Sequence, residues 1–390
     1  MKISHQNYFV LLLIVFLNIF SAVARDQATK TSVPSEVPST MYAFRSHLLE
    51  LQPYLISEEA FTASANEDEV KKHLEAFANF SKSLKMHKRL KAKGFEFTAN
   101  QLEQHLGRTY EIFKDGNKSF AWWLFRSAIH GCNQCHTQVA YRSAPSLEFE
   151  EASISGTPFD QAEFWYTIRD YKRAMLFYNS VISRFGQDAK TTKIQLVNSL
   201  RKILSITLRI DRSPKKALDI MSSAKEHSQI PADTKNLIDS WIRDLKKLEK
   251  TDIPIVKTTT PKQFDKYISN LMGPISKPPY DTKKDDVSSI FVSGLLQEFV
   301  NQRPKNVTPE MLYRLGVSLE STENDIFFTT SEHYFKNCIE KFHSSPIARQ
   351  CFEALKDKWT MGFTGSAGSD LPKEYQLELD RLESKLKPLK

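Results

Sequence analysis

Residues 119–137 read Ser119-Phe120-Ala121-Trp122-Trp123-Leu124-Phe125-Arg126-Ser127-Ala128-Ile129-His130-Gly131-Cys132-Asn133-Gln134-Cys135-His136-Thr137. An apolar stretch of helical character runs directly into Cys132, Cys135 and His136, the Cys-x-x-Cys-His pattern of covalent haem attachment. Two thiols add across the two vinyl groups of one porphyrin, so they must lie about a helical turn apart. The histidine directly after the second thiol is then held under the ring, where its imidazole ligates the iron. On a helix Cys132 and His136 are four residues apart and share a face. The stretch predicts one covalent haem c, with His136 as the proximal iron ligand.

Three other uses of a Cys-x-x-Cys pair fit less well. A zinc site needs about four ligands, and no Cys or His pair elsewhere in the chain repeats at metal-ligand spacing. A thioredoxin-like dithiol needs a strand before it and a β-α-β setting, whereas this pair follows an amphipathic helical stretch. A structural disulfide between Cys132 and Cys135 has no use for His136.

Working outward, the N-terminus sets the compartment. Lys2 and a short polar stretch precede the apolar run Phe9 to Leu17, and Ser21-Ala22-Val23-Ala24 follows before Arg25. A basic start, a short apolar core and an Ala-x-Ala ending describe a cleavable secretory signal, with cutting after Ala24. The run is short for a membrane span and Asn18 interrupts it. No cysteine follows the cleavage site, and no other stretch is long or apolar enough to cross a membrane. The expectation is a periplasmic protein without a stable membrane anchor.

The 390 residues are 41% hydrophobic, with 12 Gly and 26 Phe, enough to bury cores in two or three domains. The formal net charge of +8, one less without Lys2, is spread in runs such as Lys85 to Lys93 and Lys246 to Lys250. Such runs read as solvated helix faces. No nucleic-acid partner is expected, while acidic redox partners fit the surplus.

From Met41 to about Tyr141 four helical segments can be read. Met41, Phe44, Leu48, Leu51 and Leu55 form one stripe, with Pro53 expected to end or bend it. Val70, Leu74, Phe77 and Leu84 mark a second helix over about 67–90. A third begins near Thr98 as a cap, carries Leu102, Leu106 and Phe113, and stops at Asp115-Gly116. The fourth starts near Ser119 and runs to the haem motif. Four helices joined by short loops predict an antiparallel bundle. This arrangement resembles the class II cytochromes c, the cytochrome c-prime and cytochrome c-556 group, in which a four-helix bundle carries Cys-x-x-Cys-His close to the end of its fourth helix. The resemblance covers about residues 39–145, and its specific part is Cys132, Cys135 and His136. In class I cytochromes the motif lies near the N-terminus and a methionine ligand follows it. Here no Met follows before Met175.

The sixth iron position decides what such a haem does. A bound side chain favours electron transfer, and a vacant site admits small gases or peroxide. An up-and-down bundle brings Met41, His47, Met86 and His87 within reach. The cytochrome c-556 branch takes a methionine from early in its first helix, which makes Met41 the candidate distal ligand. Met41 also continues the apolar stripe and serves as packing on that reading. A vacant site stays open as the rival. His47 reads as an ordinary, partly exposed histidine, and His130 falls on another part of the helix from His136. Arg45 and Arg126 are candidates for haem propionates or for plain surface charge. Trp122 and Trp123 are assigned no function, since adjacent helical residues point about 100° apart.

The remainder is also helical. Ala162, Ala174 and Tyr178 stand where a tetratricopeptide repeat wants small, small and aromatic residues, so residues 158–250 resemble such helical hairpins. Ala217, Met221 and Ala224 repeat the offsets. Leu312, Leu315, Gly316 and Leu319 fit a first repeat helix. Phe335, Cys338, Ile339 and Phe342 echo Tyr178, Val181, Ile182 and Phe185 at the same intervals. Cys338 and Cys351, on consecutive predicted helices, read as a disulfide in an oxidising compartment, with two buried thiols as the alternative. The tail around Gly362 to Pro372 reads as a loop before a charged final helix.

The organisation expected is therefore all-α: signal peptide 1–24, linker 25–38, haem domain 39–145, linker 146–157, helical repeats 158–250, linker 251–284, and a second repeat region 285–390. The leading functional expectation is an exported monohaem electron-transfer protein. Its redox partners are unidentified, and its repeats dock other proteins. The alternatives are a gas-binding or peroxide-handling haem protein and a repeat scaffold with a structural haem. No catalytic acid or base is assigned.

Overall fold

The computed structural model describes residues 37–86, 96–126, 128, 154–168, 170–187, 191–273, 275, 286–320, 331–365, 368–369, 371 and 373–386. The fold is all-α.

The first group of helices is α1 (Val37–Leu55), the short α2 (Glu58–Thr62), α3 (Glu67–Met86), α4 (Glu96–Lys114) and α5 (118–126). The stripe read from the sequence is the buried face of α1: Phe44, Leu48, Leu51 and Leu55 are in the core, and Met41 packs against it half-buried. Pro53 sits inside the last turn of α1, which ends at Leu55. Helix α4 starts at Glu96, so Thr98 is a helical residue and not the cap. Helix α1 packs on α3 and α3 on α4. The indole N–H of Trp122 on α5 reaches the carbonyls of Tyr54 and Leu55 at 3.2 and 3.1 Å. One turn later Phe125 meets Phe77 at 4.9 Å, and Phe77 meets Phe44 at 5.2 Å. Helix α5 therefore runs antiparallel to α1, away from Leu55 and toward the end that carries Met41. His105 against the Leu124 carbonyl, 2.7 Å, ties α5 to α4.

The buried Gln52 connects this group to the next. Its amide donates to the Ser155 carbonyl at 2.7 Å and accepts from the Ser155 N–H at 3.0 Å, so both halves of a buried polar group are satisfied.

Helices α6 (Pro158–Thr167) and α7 (Tyr171–Arg184) form a hairpin. Thr157 and Asp160 make a reciprocal capping box at its start. Ala162, Ala174 and Tyr178 are all fully buried there. Helix α8 (Lys193–Ser205) widens into a π turn over Ile206–Ile210, and α9 (Pro214–Lys225) and α10 (Ala232–Glu249) form the next hairpin.

The stretch 251–284 departs from the expected linker, because α11 (Pro261–Met272) lies inside it. Its signals are local: Thr260 and Gln263 form a capping box, Pro261 occupies the first turn, and Phe264, Ile268 and Met272 recur every four residues on the buried side. The Thr-rich and Pro-rich flanks outweighed them in the sequence reading. Helix α12 (Asp286–Gln302) is buried on nearly every side, through Val287, Phe291, Val292, Leu296 and Phe299 among others. It packs on the π turn and on α10, joining the helices before and after α11. Arg212, at φ 54°, holds the left-handed backbone conformation at this junction. Its guanidinium donates to the Gly294 carbonyl at 2.6 Å and pairs with Glu298 at 3.3 Å. Burial pushes it down to about 10.

Helices α13 (Pro309–Glu320), α14 (Ser331–Lys341) and α15 (Pro346–Gly362) pack in succession, and α16 (Lys373–Lys385) lies against α14 and α15. Gly316 is where α13 meets α14: a Cβ there would stand 2.5 Å from the Phe335 ring. The tail read as a loop holds a two-residue antiparallel pairing, Thr364–Gly365 with Gly368–Ser369.

Cys338 and Cys351 are bonded across α14 and α15, with Cα atoms 6.3 Å apart and both residues fully buried. The bond closes a loop of 13 residues. A closure of that size removes about 3 kcal/mol of unfolded-state entropy. Replacing both cysteines by Ala is expected to lower the urea stability of the C-terminal helices by that order. An unchanged midpoint would show that the bond does not constrain the unfolded chain.

Burial, with Lys341 and Lys336 adding to it, pushes the His333 imidazole from 6.5 down to about 4. Between those values the unfolded chain binds a proton that the folded chain excludes, so stability falls as pH drops through this window. The loss amounts to roughly 3 kcal/mol at its acid end. His333→Gln is expected to flatten this part of the pH profile of urea unfolding between pH 7 and 4.5. An identical slope in both proteins would contradict the assignment.

Candidate functional site

Cys132, Cys135 and His136 lie outside the described residues, as do His87, His130 and residues 1–36. What is described is the helical frame that leads to the motif. Ala128, four residues before Cys132, is buried. The aromatic core beside α5 is built from Phe44, Phe77, Phe80 and Phe125, with Phe44 and Phe80 at 5.6 Å.

The other residues singled out from the sequence divide clearly. Met41 is on α1, packed half-buried against the core. Met86 is the last residue of α3 and is 71% exposed. The Arg126 guanidinium lies over the Trp122 ring at 4.5 Å. Arg45 is partly buried near Asp170 and Arg173, and burial pushes it down to about 10. Trp123 is 41% exposed and stacks on Phe120 at 5.8 Å.

His47 is partly exposed, as expected, but it is paired with a second histidine. Its Nδ1 is 2.8 Å from Nδ1 of His73, a fully buried residue on α3. The two rings meet edge to face at 5.0 Å, and the Phe80 ring stands 5.4 Å from His47. Burial, with His73 next in effect, holds the His47 imidazole below its ordinary value. Nε2 of His73 faces the opposite way, 2.8 Å from Glu69 Oε1 and 3.6 Å from Glu50 Oε2. Hydrogen bonds from His73 and Lys72 keep the Glu69 carboxyl below the usual carboxylate range.

Glu50, Glu69 and His73 thus bring three potential metal-ligand atoms within 4.8 Å of one another. The sequence reading missed this group because it looked for Cys and His pairs. The legible signal was weaker: His47-x-x-Glu50 on α1 and Glu69-x-x-x-His73 on α3, each pair sharing one helix face. Such pairs are common on solvated helices, and only the packing of α1 on α3 joins these two. Set against protein-family models, curated proteins and solved structures, the chain matches none of them.

Proposed function

We propose that this chain is an exported, periplasmic monohaem c-type cytochrome that transfers electrons, its helical hairpins serving to dock partner proteins. The observation that carries the reading is Cys132-x-x-Cys135-His136, in a sequence whose first 24 residues have the pattern of an export signal. Cys132 and Cys135 are the residues to hold the porphyrin by thioether bonds, and His136 the one to hold the iron from one side. When bound, the haem supplies one-electron exchange at its iron.

Two features of the fold support the reading. The helix over 118–126 precedes the motif in sequence and runs toward the end of α1 that carries Met41, which suits the proposed distal ligand. The buried Cys338–Cys351 bond suits an oxidising compartment, where attached haem is also assembled. Among the described residues no helix is long and apolar enough to cross a membrane.

The test is the spectrum of the purified protein, oxidised and reduced, with and without carbon monoxide. A low-spin haem indifferent to carbon monoxide is expected, and Met41→Ala is expected to convert it to a high-spin, carbon monoxide-responsive form. A wild-type spectrum that is already high-spin and shifts with carbon monoxide would replace electron transfer by a gas-binding or peroxide-handling role.

A further inference from the structure

We propose that Glu50, Glu69 and His73 form a binding site for one divalent transition-metal ion of the zinc class, between α1 and α3 and independent of the haem. The donor set is one imidazole nitrogen and two carboxylates from two helices. An imidazole ligand favours zinc, copper or nickel over calcium and magnesium, which take oxygen alone.

The spacing suits such an ion. Tetrahedral zinc at its usual ligand distances separates donor atoms by about 3.3–3.5 Å. His73 Nε2 and Glu50 Oε2 stand 3.6 Å apart, close to that value. His73 Nε2 and Glu69 Oε1 stand 2.8 Å apart, so the Glu69 side chain, 45% exposed, must swing out by roughly half an ångström. Solvent completes the fourth position on that open side.

His73 carries the second part of the argument. It is fully buried, and its other ring nitrogen meets His47 Nδ1 at 2.8 Å. A ligating histidine characteristically donates its remote N–H to a neighbouring acceptor, which fixes the tautomer and aims the free nitrogen at the metal. Without a metal ion His73 donates its Nε2–H to Glu69 and its Nδ1 accepts from His47; metal binding takes the opposite tautomer, in which His47 accepts the His73 Nδ1–H and the His73 Nε2 lone pair faces the ion. The carboxylates also accept from neighbours on their own helices: Lys72 donates to Glu69 at 3.1 Å, and Ser46 donates to Glu50 at 3.3 Å. A divalent ion displaces Lys72 and satisfies all three donor atoms together.

The experiment is calorimetric titration of the full mature holoprotein, purified without a histidine tag, with zinc chloride, and X-ray absorption at the zinc edge of the 1:1 complex. The expected result is one ion per chain with mixed nitrogen and oxygen ligation. Glu50→Gln, a change at a half-exposed position, is expected to weaken binding at least tenfold, since loss of an outer partner alone weakens metal sites roughly 10–100-fold. Glu50→Gln/Glu69→Gln is expected to abolish binding while the helical circular dichroism is unchanged. Failure of the wild type to bind zinc would overturn the site, and so would equal affinity in the double variant. Neither result bears on haem attachment, which is read separately from the visible spectrum.

Discussion

Trp241→Ala is expected to destabilise the protein by about 4 kcal/mol, the range for emptying a buried tryptophan site. Trp241 is 2% exposed on α10. Its indole N–H donates to Asp286 Oδ2 at 3.1 Å, in the first turn of α12. Asp286 also receives Arg201 from α8 at 3.5 Å. One side chain therefore fills core volume and fastens the helices before the stretch 251–284 to those after it. Trp241→Phe keeps most of the ring and loses the hydrogen bond, so its cost should be nearer 1–2 kcal/mol. Urea unfolding followed by circular dichroism separates the two. A loss below 1 kcal/mol in the alanine variant would mean that α12 is held to the preceding helices by other contacts, such as those of Arg209 and Arg212 with Gln297 and Glu298.

The larger effect in kind belongs to the haem motif. Cys132→Ser/Cys135→Ser is expected to remove covalent haem entirely, because hydroxyl groups do not form the thioethers that fix the porphyrin. A haem-stained denaturing gel reads this directly: signal in the wild type, none in the double variant. Cys338→Ala/Cys351→Ala provides the specificity control, since those sulfurs are bonded to each other in the C-terminal helices. It is expected to keep its haem while losing stability. Equal staining of the wild type and the Cys132→Ser/Cys135→Ser protein would place the attachment elsewhere and end the cytochrome reading.

Much of the helical architecture was legible because burial follows a period that the chain displays. The α1 stripe is buried as read, and so are Ala162, Ala174 and Tyr178. The echoed sets behave alike. Tyr178, Val181 and Ile182 are buried with Phe185 at the margin, and Phe335, Cys338 and Ile339 are buried with Phe342 at the margin. Gly316 was read as a repeat-helix residue, and the contact with Phe335 supplies the steric reason for a glycine there.

What escaped depends on tertiary contact or on weak local signals. Helix α11 is short and sits between Thr-rich and Pro-rich segments, so its four-residue period was outweighed by its flanks. Helix α12 has little amphipathic contrast because it is apolar on most faces, which hides its central place. The cluster of His47, Glu50, Glu69 and His73 was invisible for a different reason. Each helix contributes a pair that looks like any solvated helical pair, and the burial of His73 follows from packing alone.

The central claim is tested most directly by the intact mass of the protein. It is to be expressed with residues 1–24 in a bacterium that assembles c-type cytochromes and recovered from the periplasm. The account predicts a chain beginning at Arg25 whose mass exceeds that of the polypeptide by one haem and persists under denaturation. A periplasmic chain with the bare polypeptide mass, produced under conditions in which a control cytochrome is loaded, would contradict it.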